Sequence, residues 1–300
     1  MANNDQQVAP RQIMRLEQMT ESSKRETISY GLAKIAENIR SLLSEVNRIE
    51  NTAPRASTIL THIAAEEAGK GFILVDYMRP YRKVSPEMRS RHLKNVYSHL
   101  ARGIYEKYYE SRPDTFEEVQ SIVTGYRVSH YLDGPNDIDW IFRNEIEEER
   151  ERELYVDLIL DAEGVKWYSP TDWWQRYSMF RDLNEFAALK PAICNLFLLM
   201  QEVGLFSEKA LDIMAKTWKD ISIANTTRWG NYLIVNQAFV KKCEAKALLS
   251  SGTTSETLDR IIDEFLYPLC GLDLRVIQVT AEELQERRER HLRFIQKEYY

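Results

Sequence analysis

Arg55 and His62 are seven residues apart in a stretch, residues 55 to 75, whose apolar spacing predicts a helix. Seven residues are close to two helical turns, so the two side chains project on the same side. A histidine can act as general base or acid when a 2′-hydroxyl attacks its own phosphodiester, and an arginine can hold the phosphate. The pair therefore indicates His/Arg chemistry on RNA, which requires no metal.

An acid occupies the packing face of the same predicted helix. Glu67 shares a stripe with apolar or small residues that recur at spacings of three and four, namely Leu60, Ile63, Ala64, Gly71 and Leu74. A carboxylate there is costly unless it is paired, and His99 on a later helix is the first candidate partner. Glu66 and Lys70, four residues apart, form either a surface ion pair or part of the site. Structural and functional roles both stay open for His62, Glu67 and His99.

Cations are concentrated between residues 79 and 94, although the whole chain has a net charge of -6. We define the basic strip as Arg79, Arg82, Lys83, Arg89, Arg91 and Lys94; His92 lies among them, and Glu87 is the single acid. Such a cluster is typical of a surface that contacts nucleic acid, and we expect it to bind RNA together with Arg102. The alternative is a solvated loop followed by the start of a helix.

Several other chemistries are disfavoured by the spacing of residues. No Glu-x-x-His pair occurs, so the di-iron motif of helical bundles is absent, and we expect neither a metal nor a cofactor. There is no Gly-x-Ser-x-Gly nucleophile motif, and no cysteine is close to a histidine in the sequence. Gly69-Lys70-Gly71 lacks the spacing of a phosphate-binding loop.

Composition places the chain among helical globular proteins. It has 300 residues, of which 44% are hydrophobic and 29% are charged, with few glycines and prolines. The three cysteines are far apart and form no zinc pattern, which favours a reducing cytoplasm. The first residues lack the apolar core of a signal peptide, and no apolar stretch is long enough to cross a bilayer. We expect a cytoplasmic protein that is not integral to a membrane.

The elements that must position these residues are mostly helices. A heptad pattern, at Ile28, Leu32, Ile35, Ile39, Leu42, Val46 and Ile49, predicts a long helix that packs lengthwise against a neighbour. A second helix is expected from Arg55 to Met78, a third from Ser85 onward with the stripe Leu93, Val96, Leu100 and Ile104, and a fourth from Pro113 to Tyr126. Residues 23–130 are therefore predicted to form a four-helix bundle, preceded by a loose arm at 1–22.

Residues 131–169 are predicted to form an acidic connector. It contains a turn cluster at residues 133–136, a charged helix at 145–153 and one β-hairpin near 154–168, where β-branched and aromatic runs flank a turn with Gly164. Residues 170–300 are predicted to form a C-terminal helical domain. Its helices are expected at about 171–181, 191–203, 208–221, 228–249 and 256–266, with a charged final helix from about 281. The fold class is all-α.

Two segments resemble a known family. Ala65-Glu66-Glu67-Ala68-Gly69-Lys70, and Tyr97-Ser98-His99-Leu100-Ala101-Arg102-Gly103-Ile104-Tyr105 in a later helix, resemble the AbiV-type abortive-infection proteins of the HEPN superfamily over about residues 25–125. The resemblance implies a HEPN-like four-helix bundle, often a homodimer, in prokaryotic phage defence. Active members are endoribonucleases. Their catalytic motif is an arginine followed, after four to six intervening residues, by a histidine, and Arg55 and His62 match this spacing.

Residues and resemblance together give two functional hypotheses. The first is an antiviral effector that acts on RNA, with the candidate catalytic residues Arg55, His62, Glu66, Glu67, Lys70 and His99. The second is a non-catalytic HEPN-like interaction protein that blocks growth or translation by binding a partner protein. A phage component is the expected trigger in either case.

Overall fold

A computed structural model describes residues 12–131, 142–161, 164–172 and 190–278, and seven single positions beyond them: 280, 282, 283, 285, 286, 289 and 293. In chain order its helices are α1 (Glu21–Ile49), α2 (Pro54–Met78), α3 (Pro86–Lys94), α4 (His99–Ser111), α5 (Phe116–Arg127), α6 (Glu145–Leu154), α7 (Ala192–Glu202), α8 (Glu208–Trp218), α9 (Gly230–Ala245) and α10 (Ser255–Glu264). The strands are β1 (Ser129–Tyr131), β2 (Phe142–Asn144), β3 (Asp157–Asp161) and β4 (Gly164–Tyr168). The predicted all-α class is confirmed.

The chain divides into two compact units. Unit 1 comprises Met1–Val123 and Ala187–Leu274, and unit 2 comprises Thr124–Phe186 and Arg275–Tyr300. The predicted division was different, because it gave residues 170–300 a domain of their own. The apolar stripes at 191–203 and 208–221 show that these helices pack against other helices, but not against which ones. In the structure, α7 and α8 pack against α1 and α2 in unit 1.

Helix α1 forms as the heptad pattern predicts. The side chain of Thr20 caps its first turn by accepting a hydrogen bond from the Ser23 amide. The buried positions follow the pattern from Ile28 to Ile39; Leu43 is then buried in place of Leu42, Val46 is buried as predicted, and Ile49 is only partly buried. An α-helix has 3.6 residues per turn, so a strict seven-residue pattern drifts around the helix and matches less well towards its end.

The residues before α1 are not a loose arm where the structure describes them. A short 3₁₀ helix spans Met14–Gln18, and Leu16 is buried in the core of unit 1. The Ser90 hydroxyl donates a hydrogen bond to Glu17 at 2.9 Å, which ties this segment to α3. The prediction was therefore wrong for residues 12–22, while residues 1–11 lie outside the described part of the chain.

The predicted third helix is two helices. Helix α3 ends at Lys94, a 3₁₀ turn covers Asn95–Tyr97, and Ser98 has an extended backbone before α4 begins. The Ser98 side chain accepts a hydrogen bond from the Ala101 amide at 3.2 Å, so it satisfies a free donor at the start of the new helix. The apolar stripe could not reveal this break, because it continues across both helices. As a result, His99 lies at the first position of α4.

The remaining helices of unit 1 follow the expected order with shorter ends. Helices α7, α8, α9 and α10 match the four predicted between residues 191 and 266, whereas the one at 171–181 falls largely outside the described residues.

A glycine of α2 allows close packing against α7. A Cβ on Gly71 would lie 2.1 Å from the Phe197 ring of α7. Phe197 also packs edge-on against Phe72, with ring centroids 5.5 Å apart.

Unit 2 contains two antiparallel hairpins among its described residues. Strands β3 and β4 pair Asp157 with Tyr168 and Asp161 with Gly164, which confirms the hairpin predicted near 154–168. Strands β1 and β2 form a second hairpin that was predicted only as a turn cluster. Its connecting residues, and most of the predicted final helix from about 281, lie outside the described part of the chain.

Candidate functional site

Glu66 of α2 and His99 of α4 form the contact around which the site is built. The carboxylate atom Oε2 of Glu66 lies 2.8 Å from Nδ1 of His99. The His99 side chain is 46% exposed, whereas that of Glu66 is 16% exposed. A carboxylate on Nδ1 fixes the ring and leaves Nε2 as the nitrogen that can exchange a proton with a substrate. The arrangement is suited to general acid or base catalysis at the surface.

Gly69 allows the two helices to come this close. A Cβ at position 69 would lie 2.6 Å from the carbonyl oxygen of Arg102 and 3.1 Å from its Cα, so no larger residue fits without moving a backbone. Glycine in a helix interior costs about 1 kcal/mol relative to alanine. Here that cost is offset by the close crossing of α2 and α4, which places Glu66 within reach of His99.

Arg102 of α4 also contacts Glu66. Its Nη1 atom lies 3.7 Å from Oε2 of Glu66, and its Nε donates a hydrogen bond to the Val96 carbonyl at 2.8 Å. Both anchors hold the guanidinium in place, and the side chain is largely buried. Arg102 was predicted to contact RNA. Its contacts show that it holds Glu66 and the segment before α4.

The predicted partner of His99 was wrong by one residue. Glu67, on the packing stripe, pairs with Lys70 of the same helix, and Glu66 is the residue that meets His99. Successive residues of a helix are rotated by about 100°, so the pattern locates the buried face without deciding which of two adjacent acids faces a given neighbour. Lys70, which was considered as an ion-pair partner of Glu66, contacts Glu67.

Arg55 and His62 lie earlier on α2, and both are half-buried. His62 is four residues, or about one turn, before Glu66. Arg55 is eleven residues before Glu66, which corresponds to about 16 Å along the helix axis. The structure therefore brings Glu66, His99 and Arg102 together, and it places Arg55 at the far end of the same helix.

The basic strip does not form one continuous surface. Four of its members are exposed, namely Arg82, Lys83, Arg91 and Lys94. Arg89 is half-buried, donates from Nε to the Tyr77 carbonyl at 2.8 Å and lies 4.1 Å from the centre of the Tyr77 ring. Arg79 is fully buried, which contradicts its predicted contact with RNA. The sequence hides this difference because α2 ends at Met78 and Arg79 turns into the core.

Arg79 belongs to a buried polar cluster that was not predicted from the sequence. Its Nε donates to Asp76 at 2.7 Å and its Nη1 donates to the Leu266 carbonyl at 2.9 Å. Asp76 also accepts hydrogen bonds from the Tyr105 hydroxyl and from the Leu269 amide. The signal that could have revealed the cluster is Asp76 itself, an acid within a run of large apolar residues, which requires buried partners.

His92 lies at the edge of the same cluster. Its Nε2 is 3.3 Å from the Tyr105 hydroxyl, and the side chain is buried. Burial lowers the pKa of His92 to about 4, a shift that nearby Asp76 opposes only in part. Burial also raises the pKa of Tyr105 well above its usual value. The ring of His92 is therefore neutral at pH 7, and it is enclosed in the core rather than presented to a substrate.

Among the residues that the structure describes, no group of three or more His, Cys, Asp or Glu side chains could hold a metal ion. None of the helices in this part of the chain has both the length and the apolar character needed to cross a membrane.

Comparisons with known proteins returned no relative. No family model matches the chain, and no curated protein or solved structure matches it either.

Proposed function

We propose that the protein is a cytoplasmic, metal-independent endoribonuclease that acts in prokaryotic antiviral defence, with His99 as its acid–base residue. The contact of Glu66 with Nδ1 of His99 is the observation that supports this proposal most directly. The contact orients the His99 ring, and the His99 side chain is partly exposed. Proton transfer to or from a bound substrate requires both. The defence setting rests on the resemblance of the two helical segments to AbiV-type proteins.

The proposed reaction is cleavage of RNA by its own 2′-hydroxyl. Nε2 of His99 takes the proton of the 2′-hydroxyl while that oxygen attacks the adjacent phosphorus. The bond from phosphorus to the 5′-oxygen breaks, and the leaving oxygen takes up a proton, for which His62 is the second candidate. The products are a 2′,3′-cyclic phosphate and a free 5′-hydroxyl. Glu66 holds His99 in orientation and stabilises the imidazolium that forms.

Exposed cations that precede His99 in the chain provide the contact with the RNA backbone in this proposal. Lys94 is five residues before His99, and Arg91 is one turn earlier on α3. Both are exposed, as are Arg82 and Lys83 in the preceding loop. Because the chain has a net charge of -6, binding depends on these four exposed cations and should weaken as salt is added.

The test is incubation of purified protein with total RNA in the presence of EDTA, followed by analysis of the product ends. We expect 2′,3′-cyclic phosphate ends with the wild type, and their loss in His99→Ala and His62→Ala. Arg48→Ala, on the exposed side of α1, is the control and should cleave like the wild type. Intact RNA at high protein concentration, with and without a phage trigger, would contradict the proposal.

A second candidate function is a non-catalytic protein that blocks growth or translation by binding a partner protein. The observation in its favour is that two apolar side chains are exposed close in sequence to the contact: Ile63, three residues before Glu66, and Tyr97, two residues before His99. In that case well-folded His99→Ala would keep its effect on growth, whereas Ile63→Asp would lose it.

The homodimer implied by the resemblance is part of both proposals. Light scattering that gives 35.2 kDa, the mass of one chain, would refute the homodimer.

A further inference from the structure

Tyr97 is held on both sides by the contacts that build the site. Before it in the sequence, the Val96 carbonyl accepts the hydrogen bond from Arg102. After it, Ser98 caps α4 and His99 contacts Glu66. The Ser98 amide also donates to the Asn95 carbonyl at 2.9 Å, which closes the turn around Tyr97. The backbone at Tyr97 is therefore fixed, although its side chain faces solvent.

Two exposed apolar side chains, Tyr97 and Ile63, are close in sequence to the two residues of the site. Tyr97 and Ile63 are each 42% exposed, and Ile63 is one turn before Glu66 on α2. The acids nearby are compensated, because Glu66 meets His99 and Arg102, and Glu67 meets Lys70. The exposed cation Lys94 is three residues before Tyr97. An exposed aromatic ring, with a cation three residues before it and paired acids on the adjoining helix, suits a nucleobase and its phosphate.

We propose that Tyr97 is a stacking site for one unpaired base, so that the site selects single-stranded RNA. This inference rests on the proposed action on RNA and adds a substrate class and a specificity residue to it. Bases stack on exposed aromatic rings in single-stranded nucleic acids, and the contact tolerates any base because each base has a π-face. A base within a duplex is already stacked on both sides and is not available to Tyr97.

The experiment measures binding without cleavage. The probe is a labelled 2′-O-methyl RNA 12-mer, alone or annealed to its complement, since a 2′-O-methyl group cannot attack the phosphodiester. Fluorescence anisotropy would give the Kd for the wild type, Tyr97→Ala, Tyr97→Phe and Tyr30→Ala. Tyr30 is the matched control, because it is an exposed tyrosine on α1 with Lys34 near its ring. Thermal unfolding of each variant shows whether it is folded.

We expect Tyr97→Ala to raise the Kd for the single strand roughly tenfold. Tyr97→Phe should stay within about twofold of the wild type, because the ring is kept, and Tyr30→Ala should be unchanged. The duplex should bind more weakly, with no effect of Tyr97→Ala. The inference is overturned if the wild type does not bind the single strand, if Tyr97→Ala binds it as the wild type does, or if the duplex shows the same dependence on Tyr97.

The two proposals fail in different ways. If the wild type binds the single strand through Tyr97 but never cleaves RNA that has 2′-hydroxyls, the catalytic proposal fails and the stacking site stands. If RNA is cleaved in a reaction that needs His99 while Tyr97→Ala changes neither binding nor cleavage, the stacking site fails and the catalytic proposal stands.

Discussion

Oε2 of Glu66 lies 2.8 Å from Nδ1 of His99, although the two residues are 33 positions apart in the sequence. The contact joins α2 to the first residue of α4. Three features of the chain create it: the missing side chain at Gly69, the cap at Ser98 that starts α4, and Arg102, which lies 3.7 Å from the same carboxylate. Changes in these residues should therefore affect the same site.

If the proposed cleavage of RNA takes place, Glu66→Gln should lower its kcat at least about tenfold while KM changes little. The amide keeps the size of the side chain but lacks the charge that stabilises a protonated His99, and a positioned acid–base group contributes roughly 10²- to 10⁴-fold. Steady-state kinetics on a labelled RNA oligonucleotide would measure this. Glu37→Gln, an exposed acid of α1 that pairs with Lys34, is the control. A kcat equal to that of the wild type would refute the role of Glu66.

Gly69→Ala should destabilise unit 1 by about 1–3 kcal/mol, because the new Cβ overlaps the Arg102 carbonyl and forces α2 and α4 apart. The matched control is Gly31→Ala in α1, where a Cβ meets no atom within 4 Å. That change should stabilise the protein by about 0.5–1 kcal/mol through helix propensity. Urea denaturation measures both variants. Stabilisation of both to the same extent would show that the close crossing does not exist.

Lowering the pH from 7 to 5 should destabilise the protein through His92. Its folded pKa of about 4 is below the ordinary value of 6.5, so between these values the unfolded chain binds a proton that the folded protein does not. The contribution of neutral His92 to the free energy of unfolding is fully present above about pH 6.5 and decreases as the pH falls towards 4. At 1.36 kcal/mol per pKa unit, the loss at pH 5 is about 2 kcal/mol.

His92→Gln isolates that contribution from other titrating groups. We expect the variant to be less stable than the wild type at pH 7, because it disturbs a buried side chain, but to lose less stability between pH 7 and pH 5. Urea denaturation at the two pH values gives the comparison. Equal losses in the variant and the wild type would mean that His92 is not enclosed in the core as described.

Asp76→Asn should cost about 3–5 kcal/mol in the free energy of unfolding, since it leaves the buried Arg79 guanidinium without its counterion. The exposed pair of Lys34 and Glu37 offers a contrast, because breaking it with Glu37→Gln should change stability by less than about 1 kcal/mol. Denaturation in urea at pH 7 measures both. A loss below about 1 kcal/mol for Asp76→Asn would contradict the buried pair.

The helices were predictable where a single periodic stripe determines them. The heptad positions from Ile28 onward locate α1, and the Pro-containing breaks near residues 54 and 80 locate both ends of α2. The hairpin of β3 and β4 was predictable for a similar reason, because a Gly-containing turn separates two apolar runs. In these cases local sequence and tertiary packing favour the same structure.

Other features depend on tertiary contacts that local patterns do not encode. Arginine is usually a surface residue, but Arg79 is buried, where Asp76 and the Leu266 carbonyl accept its hydrogen bonds. The stripe that joins Leu93 to Leu100 conceals the break at Ser98. Which of Glu66 and Glu67 faces His99 depends on the rotation of α2 relative to α4, and the sequence of neither helix determines that angle.

The most direct test of the central claim is the rate of cleavage of one single-stranded RNA oligonucleotide by the wild type and by His99→Ala, in EDTA, at matched concentrations of folded protein. We predict products that end in 2′,3′-cyclic phosphate for the wild type, and a rate for the variant that is lower by roughly 10²-fold or more. Equal rates, or an oligonucleotide that the wild type leaves intact, would contradict the assignment of His99 as the catalytic residue.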